Sequence, residues 1–306
     1  MLTIAYMTCR RNPRFEWFVD SLARQHDGYP IKLLVIDFFR EERDLSEYAR
    51  KVLGPLGVDA SSHSPKPTVW QGKHRLTKEN FFAASNARNT AICLAADGYL
   101  VFADDLSVLG PQWLRRVRAA ERSGYVVCGA YEKVLELTVE DGVIIHKKEY
   151  AGGQDVRAVR MADFGRCPAS WFFGCSCGAP VEAFVQINGY PEIADGMGYE
   201  DCVTGNTLCN SGFSLRYDPM MMTSESEEAH HEEAPFTRID PGVSPNDKSH
   251  AMLNLCRNQH RFANYFGDAG IDGLRKQIQA GLPFEVMSHP DREWFTGTHL
   301  SELTHA

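Results

Sequence analysis

The first 130 residues alternate short, almost wholly apolar strands with amphipathic helices, and the strands run out into polar or acidic residues. Residues 2–8 (LTIAYMT), 31–37 (IKLLVID) and 99–105 (YLVFADD) are near-continuous apolar runs, as expected of parallel strands covered on both faces. Between them, Phe15, Phe18, Val19 and Leu22 recur at helical spacing, predicting a helix to about His26 with Asn12 as N-cap and Pro13 at its first position. Residues 41–53 read as a helix, 61–67 as a loop, and Thr77 as the cap of a helix carrying Phe81, Ala84, Ala87, Ala91 and Ala95. A helix over 111–122 and a strand over 125–130 complete the series. Such an order specifies an open α/β sheet whose ligands sit at the carboxyl ends of the strands.

Beyond residue 131 the regularity fades. A hairpin is expected over 135–147 around Asp141-Gly142, helices over 180–187 and 199–210, and strands near 213–217 and 219–223. Residues 225–247 are polar and carry three prolines, so they read as a loop, followed by a helical tail over 248–266 and 270–280. The tail is read as a helical cap or a dimer element of a homo-oligomer. At 306 residues the chain has room for two domains or one large one. No apolar run approaches the roughly 18–20 residues of a membrane span, and no signal segment is evident. Nine cysteines are an odd number in a chain too large to need staples, which points to reduced thiols and a cytoplasmic setting.

Three clusters carry chemistry. Asp104 and Asp105 stand just past an apolar strand, the arrangement that holds a hard divalent cation against phosphate oxygens. Alone, such a pair is more often a turn cap and a solvated acid. Residues 196–201 (GMGYED) bring Glu200 and Asp201 into the start of a helix, where one carboxylate can stay ionised as a general base. The bland reading is an acidic helix start. Residues 224–233 (SESEEAHHEE) offer His230 and His231 as imidazole ligands in an otherwise solvated acidic loop. Neither GxGxxG nor GxxxxGK[ST] occurs, which disfavours a dinucleotide-dependent dehydrogenase or a P-loop enzyme. No CxxC occurs, and serine chemistry rests only on the letters of residues 174–178 (GCSCG), so zinc and serine chemistry have little support.

Taken in order, these pieces resemble the GT-A glycosyltransferases, especially the large inverting family 2, over residues 1–235. The resemblance rests on Thr8 with Arg10-Asn12-Pro13, Asp37, Ser85-Asn86-Ala87-Arg88-Asn89, Asp104-Asp105, Trp113-Leu114, Gly174-Cys175-Ser176, Ile187-Asn188-Gly189-Tyr190-Pro191-Glu192 and Gly198-Tyr199-Glu200-Asp201. It implies a GT-A α/β fold with residues 1–130 binding the nucleotide-sugar, 131–235 binding the acceptor, and 236–306 as a C-terminal helical extension. By the same resemblance Thr8, Arg10 and Asp37 contact the nucleotide, with Asp37 on the uracil ring, and Arg88 faces the donor diphosphate. Asp104 falls where the ribose is bound and Asp105 where the metal is bound, although the family's D-x-D is here followed by Leu106. Asp201 matches the catalytic base, Glu200 would hold the acceptor, and His230 or His231 matches a downstream metal ligand. The loop 175–178 falls beside the donor sugar.

The implied reaction is metal-dependent, inverting transfer from a UDP-sugar, with Mn2+ or Mg2+, to an acceptor hydroxyl. A saccharide, a protein side chain and a hydroxylated nucleic-acid base are all open as acceptors. The rival readings are a nucleotidyltransferase or sugar-nucleotide pyrophosphorylase, and a non-catalytic nucleotide-sugar or zinc-binding module. The net charge of −8 argues against broad electrostatic binding of nucleic acid. Ten acids and one base fall within residues 190–236, however, so the rest of the chain is close to neutral.

Overall fold

The computed structural model describes residues 1–66, 84–159, 164–192, 199–232, 258–262, 264, 266 and 269–282, with the side chains of 159 and 230–232 excepted. Ten strands form one sheet: β1 (Leu2–Thr8), β2 (Ile31–Asp37), β3 (Val58–His63), β4 (Tyr99–Asp104), β5 (Ser107–Leu109), β6 (Val126–Glu140), β7 (Val143–Glu149), β8 (Gly165–Arg166), β9 (Ser176–Pro180) and β10 (Leu215–Ser226). Their order is β3-β2-β1-β4-β9-β6-β10-β5, with β7 on β6 and β8 on β10. The four strands of the first half are parallel, as the continuous apolar runs require. β9 enters antiparallel to both β4 and β6, so the second half is mixed.

Nine α-helices lie in the described residues: α1 (Phe15–Ala23), α2 (Ser46–Leu53), α3 (Ala84–Leu94), α4 (Trp113–Ser123), α5 (Val156–Val159), α6 (Val181–Gln186), α7 (Glu200–Asn210), α8 (Glu227–Glu232) and α9 (Gly270–Gln279). Alternation along each strand divides the core between the two faces of the sheet. Ala5, Met7, Leu34, Ile36, Leu100 and Phe102 pack under Ala87, Ala91, Phe184, Val203 and Ile271. Ile4, Tyr6, Leu33, Val35 and Val101 pack against Phe18, Leu22, Leu53, Trp113 and Val117. Arg275 of α9 closes the end of α3 by donating to the carbonyls of Ile92 and Ala95, at 3.0 Å each.

Several sequence expectations need correction. The first helix starts at Phe15 after Arg14, whose φ is 53°, so Asn12 and Pro13 lie outside it. The Pro13 carbonyl instead accepts from the Tyr6 hydroxyl and the Leu106 amide, which ties the chain after β1 to the end of β4. Residues 58–63 form strand β3 on β2 where 61–67 read as a loop, because hydrogen bonding to a buried neighbour outweighs a polar stretch of Ser and His. The two strands expected near 213–223 are one strand, β10, bulged between Asp218 and Thr223, and it runs on through Glu225. α8 follows directly, inside the stretch expected to be loop. Thr77 and most of the expected helix over 248–266 lie outside the described residues, and residues 258–262 are turn and bend. The hairpin at Asp141-Gly142 forms as expected, with both residues at positive φ (46° and 72°), the geometry of a type I′ turn.

Candidate active site

The ends of β1, β2 and β4 are brought level by register, with Thr8 opposite Asp37 and Met7 opposite Asp104. Thr8 donates to Asp105 Oδ2 at 2.8 Å and accepts the Arg10 amide at 3.1 Å. Arg10, itself buried, reaches Asp105 Oδ1 with Nε at 3.2 Å. Burial pushes the Asp105 carboxyl up to about 6, against Arg10 and Thr8, which pull it down. Leu106, the residue that interrupts D-x-D, has φ 59° and is buried. A left-handed leucine costs on the order of 1–2 kcal/mol, and it turns the chain directly after the two acids.

Asp37 is fully buried and held by a residue that sequence reading missed. Arg43 donates Nε to Asp37 Oδ2 at 2.7 Å and Nη2 to Oδ1 at 3.0 Å, while the Phe39 amide donates to Oδ1 at 2.9 Å. Arg43 also reaches the carbonyls of Arg10 and Arg11. One guanidinium thus fastens β2 to the loop after β1 by a bidentate bridge. An arginine in a polar stretch gives no periodic signal, and only the fold brings it to Asp37.

On the other side of Asp104, four segments distant in sequence converge. Arg88 of α3 pairs with Glu200 of α7, Nη1 to Oε1 at 2.6 Å, and stands 3.7 Å from Asp104 Oδ1. Its guanidinium lies 5.3 Å from the centre of the Tyr190 ring. Burial opposes the charge on Arg88, while Asp104 and Glu200 hold it firmly in place. Gly174 presses against that guanidinium so closely that a Cβ there has no room. The Gly174 amide donates to Asp201 Oδ2 at 3.3 Å, and the Cys202 amide to Oδ1 at 2.7 Å. Burial and the neighbouring Glu200 push the Asp201 carboxyl up to about 6, with Arg88 opposing. Tyr199, which opens α7, has φ 65°, a second strained turn beside a candidate residue.

A fourth carboxylate forms the floor of this cluster. Glu225, on β10 opposite Ser107 of β5, is buried and accepts the Tyr131 hydroxyl on Oε2 at 2.7 Å. Its Oε1 is buried with no hydrogen-bond partner among the described residues. Burial, with Asp104 and Asp105 adding to it, pushes this carboxyl well above the usual range. Its position was missed because β10 was expected to end two residues earlier. Arg157 of α5 was missed as well. It is buried, bonded to Asp155 at 2.9 Å and to Cys175 Sγ at 2.8 Å, and flanked by the rings of Tyr131 and Phe173. It supports the loop that begins at Gly174 from below.

These carboxylates have the oxygen chemistry of a Mg2+ or Mn2+ site. The buried Oε1 of Glu225, left without a hydrogen-bond partner among the described residues, is the kind of orphan that a cation satisfies. Among the described residues no three His, Cys, Asp or Glu side chains already stand close enough to hold an ion. His230 and His231 lie on α8, two turns of chain or less beyond Glu225, and their side chains are outside the described residues. The eight described cysteines are free thiols.

No family model and no curated protein matches the sequence. Among solved structures, the chain is similar to residues 1–349 of S. aureus TarS in complex with UDP-GlcNAc, with TM-score 0.53, 12% identity, 83% of this chain and 65% of that one covered. The same TarS fragment alone gives TM-score 0.53 at 11% identity over 95% and 97% of the two chains. GalNAc-T7 with UDP, GalNAc and Mn2+ gives TM-score 0.55 at 14% identity over 100% and 58%. The chain therefore spans less than two thirds of the length of the first and last of these. No described helix is long and apolar enough to cross a membrane. At these identities the likeness is one of architecture: the chain has the GT-A fold.

Proposed function

We propose that this chain is a metal-dependent inverting glycosyltransferase that moves a sugar from a UDP-sugar to an acceptor hydroxyl. The observation that carries this reading is the meeting of Arg88, Asp104, Gly174, Glu200 and Asp201 at the carboxyl end of β4. A fixed cation there faces a carboxylate whose affinity for a proton is raised, at the place where α/β sheets bind ligands. The presence of UDP-GlcNAc, and of UDP with Mn2+, in structures of similar fold supports a nucleotide-sugar as donor.

In this reading Thr8, Arg10 and Asp37 form the nucleotide wall, and Asp104 with Asp105 faces the ribose and the metal. Asp105 is tied to Thr8 and Arg10, so it also sets the shape of that wall. A bound Mg2+ or Mn2+ would be held by Asp105, His230 or His231, with Glu225 added to the set, and it supplies positive charge to the diphosphate as its leaving-group charge grows. Arg88 adds a guanidinium to the same oxygens. Asp201 takes the proton of the acceptor hydroxyl, whose oxygen attacks the anomeric carbon from the face opposite the diphosphate. The bond from that carbon to the diphosphate breaks, UDP leaves with the electron pair, and configuration inverts. Glu200 keeps Arg88 in place and holds the acceptor as Arg88 turns to the diphosphate.

The test is a screen of UDP-sugars for release of UDP, with and without Mn2+. The reading expects UDP from at least one donor, suppressed by a chelator and restored by Mn2+. Release of pyrophosphate in place of UDP, or stoichiometric tightly held zinc in the purified protein, would contradict it.

A further inference from the structure

A second feature lies away from the proposed active site, between the end of α1 and the outer face of α4. Arg115, Arg118 and Arg122 follow one another at i, i+3 and i+7 along α4 and so share one face. With Arg24, just past α1, they line a groove of about 450 Å³ that holds a single carboxylate, Asp27. Asp27 and the ring of Tyr29, 4.1 Å from its guanidinium, hold Arg118 in a fixed pose. The neighbouring Glu121 is occupied by the Tyr29 hydroxyl at 3.0 Å and by the chain's amino group at 3.9 Å. Arg24, Arg115 and Arg122 are exposed.

Like charges one turn apart on a helix repel and weaken it. Asp27 answers Arg118 and the Gln112 side chain takes a bond from Arg115, and an external anion would offset the positive charge that the groove gathers beyond its one carboxylate. Arg115 to Arg122 spans seven residues, about 10 Å of helix, further than one phosphate reaches but suited to successive phosphates of a strand. The groove shares Arg24, Gln25 and Pro111 with a second cavity of about 440 Å³, whose wall includes Val108, Leu109, Val143 and Ile144. A cationic groove that tracks a phosphate backbone is the electrostatic half of single-stranded nucleic-acid binding, and the adjoining wall of Val108, Leu109, Val143 and Ile144 offers apolar surface beside it.

We propose that the α1–α4 groove docks a single strand of nucleic acid by its backbone, with Arg24, Arg115, Arg118 and Arg122 on successive phosphates. The trough leads toward the ends of β5 and β10, where Val108 pairs with Ser224, one residue from Glu225. The inference does not depend on the glycosyltransferase reading, since binding is measured without donor or acceptor chemistry.

The test is fluorescence anisotropy of a labelled oligothymidylate, titrated with the full chain across a salt series. Wild type should bind saturably at low salt with a log–log salt slope of about −3, and Arg115→Gln/Arg122→Gln should bind at least about tenfold more weakly with the slope roughly halved. Lys147→Gln/Lys148→Gln removes the same charge from the exposed β7 and serves as control, expected to bind like wild type. Circular dichroism of both variants should match wild type, since all four side chains lie at the surface. Absence of saturable binding by wild type, equal loss in the control, or co-sedimentation with phosphatidylglycerol vesicles in place of oligonucleotide binding would overturn the proposal.

Discussion

The two sides of the site are built on opposite electrostatic plans. At the nucleotide wall the Asp37 carboxylate is fully neutralised, receiving two bonds from Arg43 and one from a backbone amide. At the floor beside Arg88 the carboxyls outnumber the cations: Asp201 and Glu225 are pushed up by burial, and one oxygen of Glu225 has no hydrogen-bond partner among the described residues. Asp105 stands on the border, bonded like the first group and raised like the second. A wall that must only present a shape is stable when its charges are satisfied in advance. A floor that, on the proposed reading, receives a proton and a cation is left incomplete, and the cost is borne by the rest of the fold.

The contrast can be broken most severely at its hinge. Arg88→Ala leaves Glu200 and Asp104 without their shared cation, one of them in a buried position. Removing one partner of a buried pair costs about 3–5 kcal/mol, so the variant should unfold at markedly lower denaturant and lose transfer by more than about a hundredfold. Chemical denaturation and turnover, measured on the same preparation, check both.

On the nucleotide wall, Arg43→Met strips Asp37 of its bridge while leaving the floor untouched. A loss of about 3 kcal/mol is expected, at the low end for such a pair because Arg43 is partly solvated. Its effect on catalysis should fall on KM for the donor, with kcat changed less than about threefold. An equal fall in kcat would show that wall and floor act as one unit.

The smallest effect sharpens the comparison through pH. As the proposed base Asp201 would act only when ionised, and its proton affinity is raised to about 6, so kcat should fall as the medium is acidified through that region. Glu200 raises Asp201 and Arg88 lowers it. Glu200→Gln removes the raising charge and frees Arg88 from its partner, so the acid limb should move to lower pH. A limb that stays in place, or moves to higher pH, would separate it from Asp201.

The nucleotide half of the fold was readable because its strands are buried on both faces and its helices keep one period. β1 and β2 occupy the residues expected, and Asp37 and Asp104 end their strands as expected, with Asp105 just beyond. The other half resisted for a physical reason. β9 is a short antiparallel insertion of SCGAP, and β10 carries a bulge and a proline, so neither shows a clean alternation. In the site, Arg88, Asp104, Glu200 and Asp201 were legible and do come together. Arg43, Arg157, Tyr131 and Glu225 were not, since each acts through a partner between 6 and 94 residues away that only folding supplies.

On the proposed reading Asp201 removes the acceptor proton while Arg88 and the nucleotide wall hold the donor. Asp201→Asn removes the base at constant size, while its single carbonyl oxygen can keep only one of the two backbone amides, Gly174 or Cys202, that Asp201 accepts. With UDP binding and sugar transfer measured on the same sample, the account predicts UDP affinity within about threefold of wild type and transfer lowered at least about a thousandfold. Transfer at the wild-type rate would contradict it.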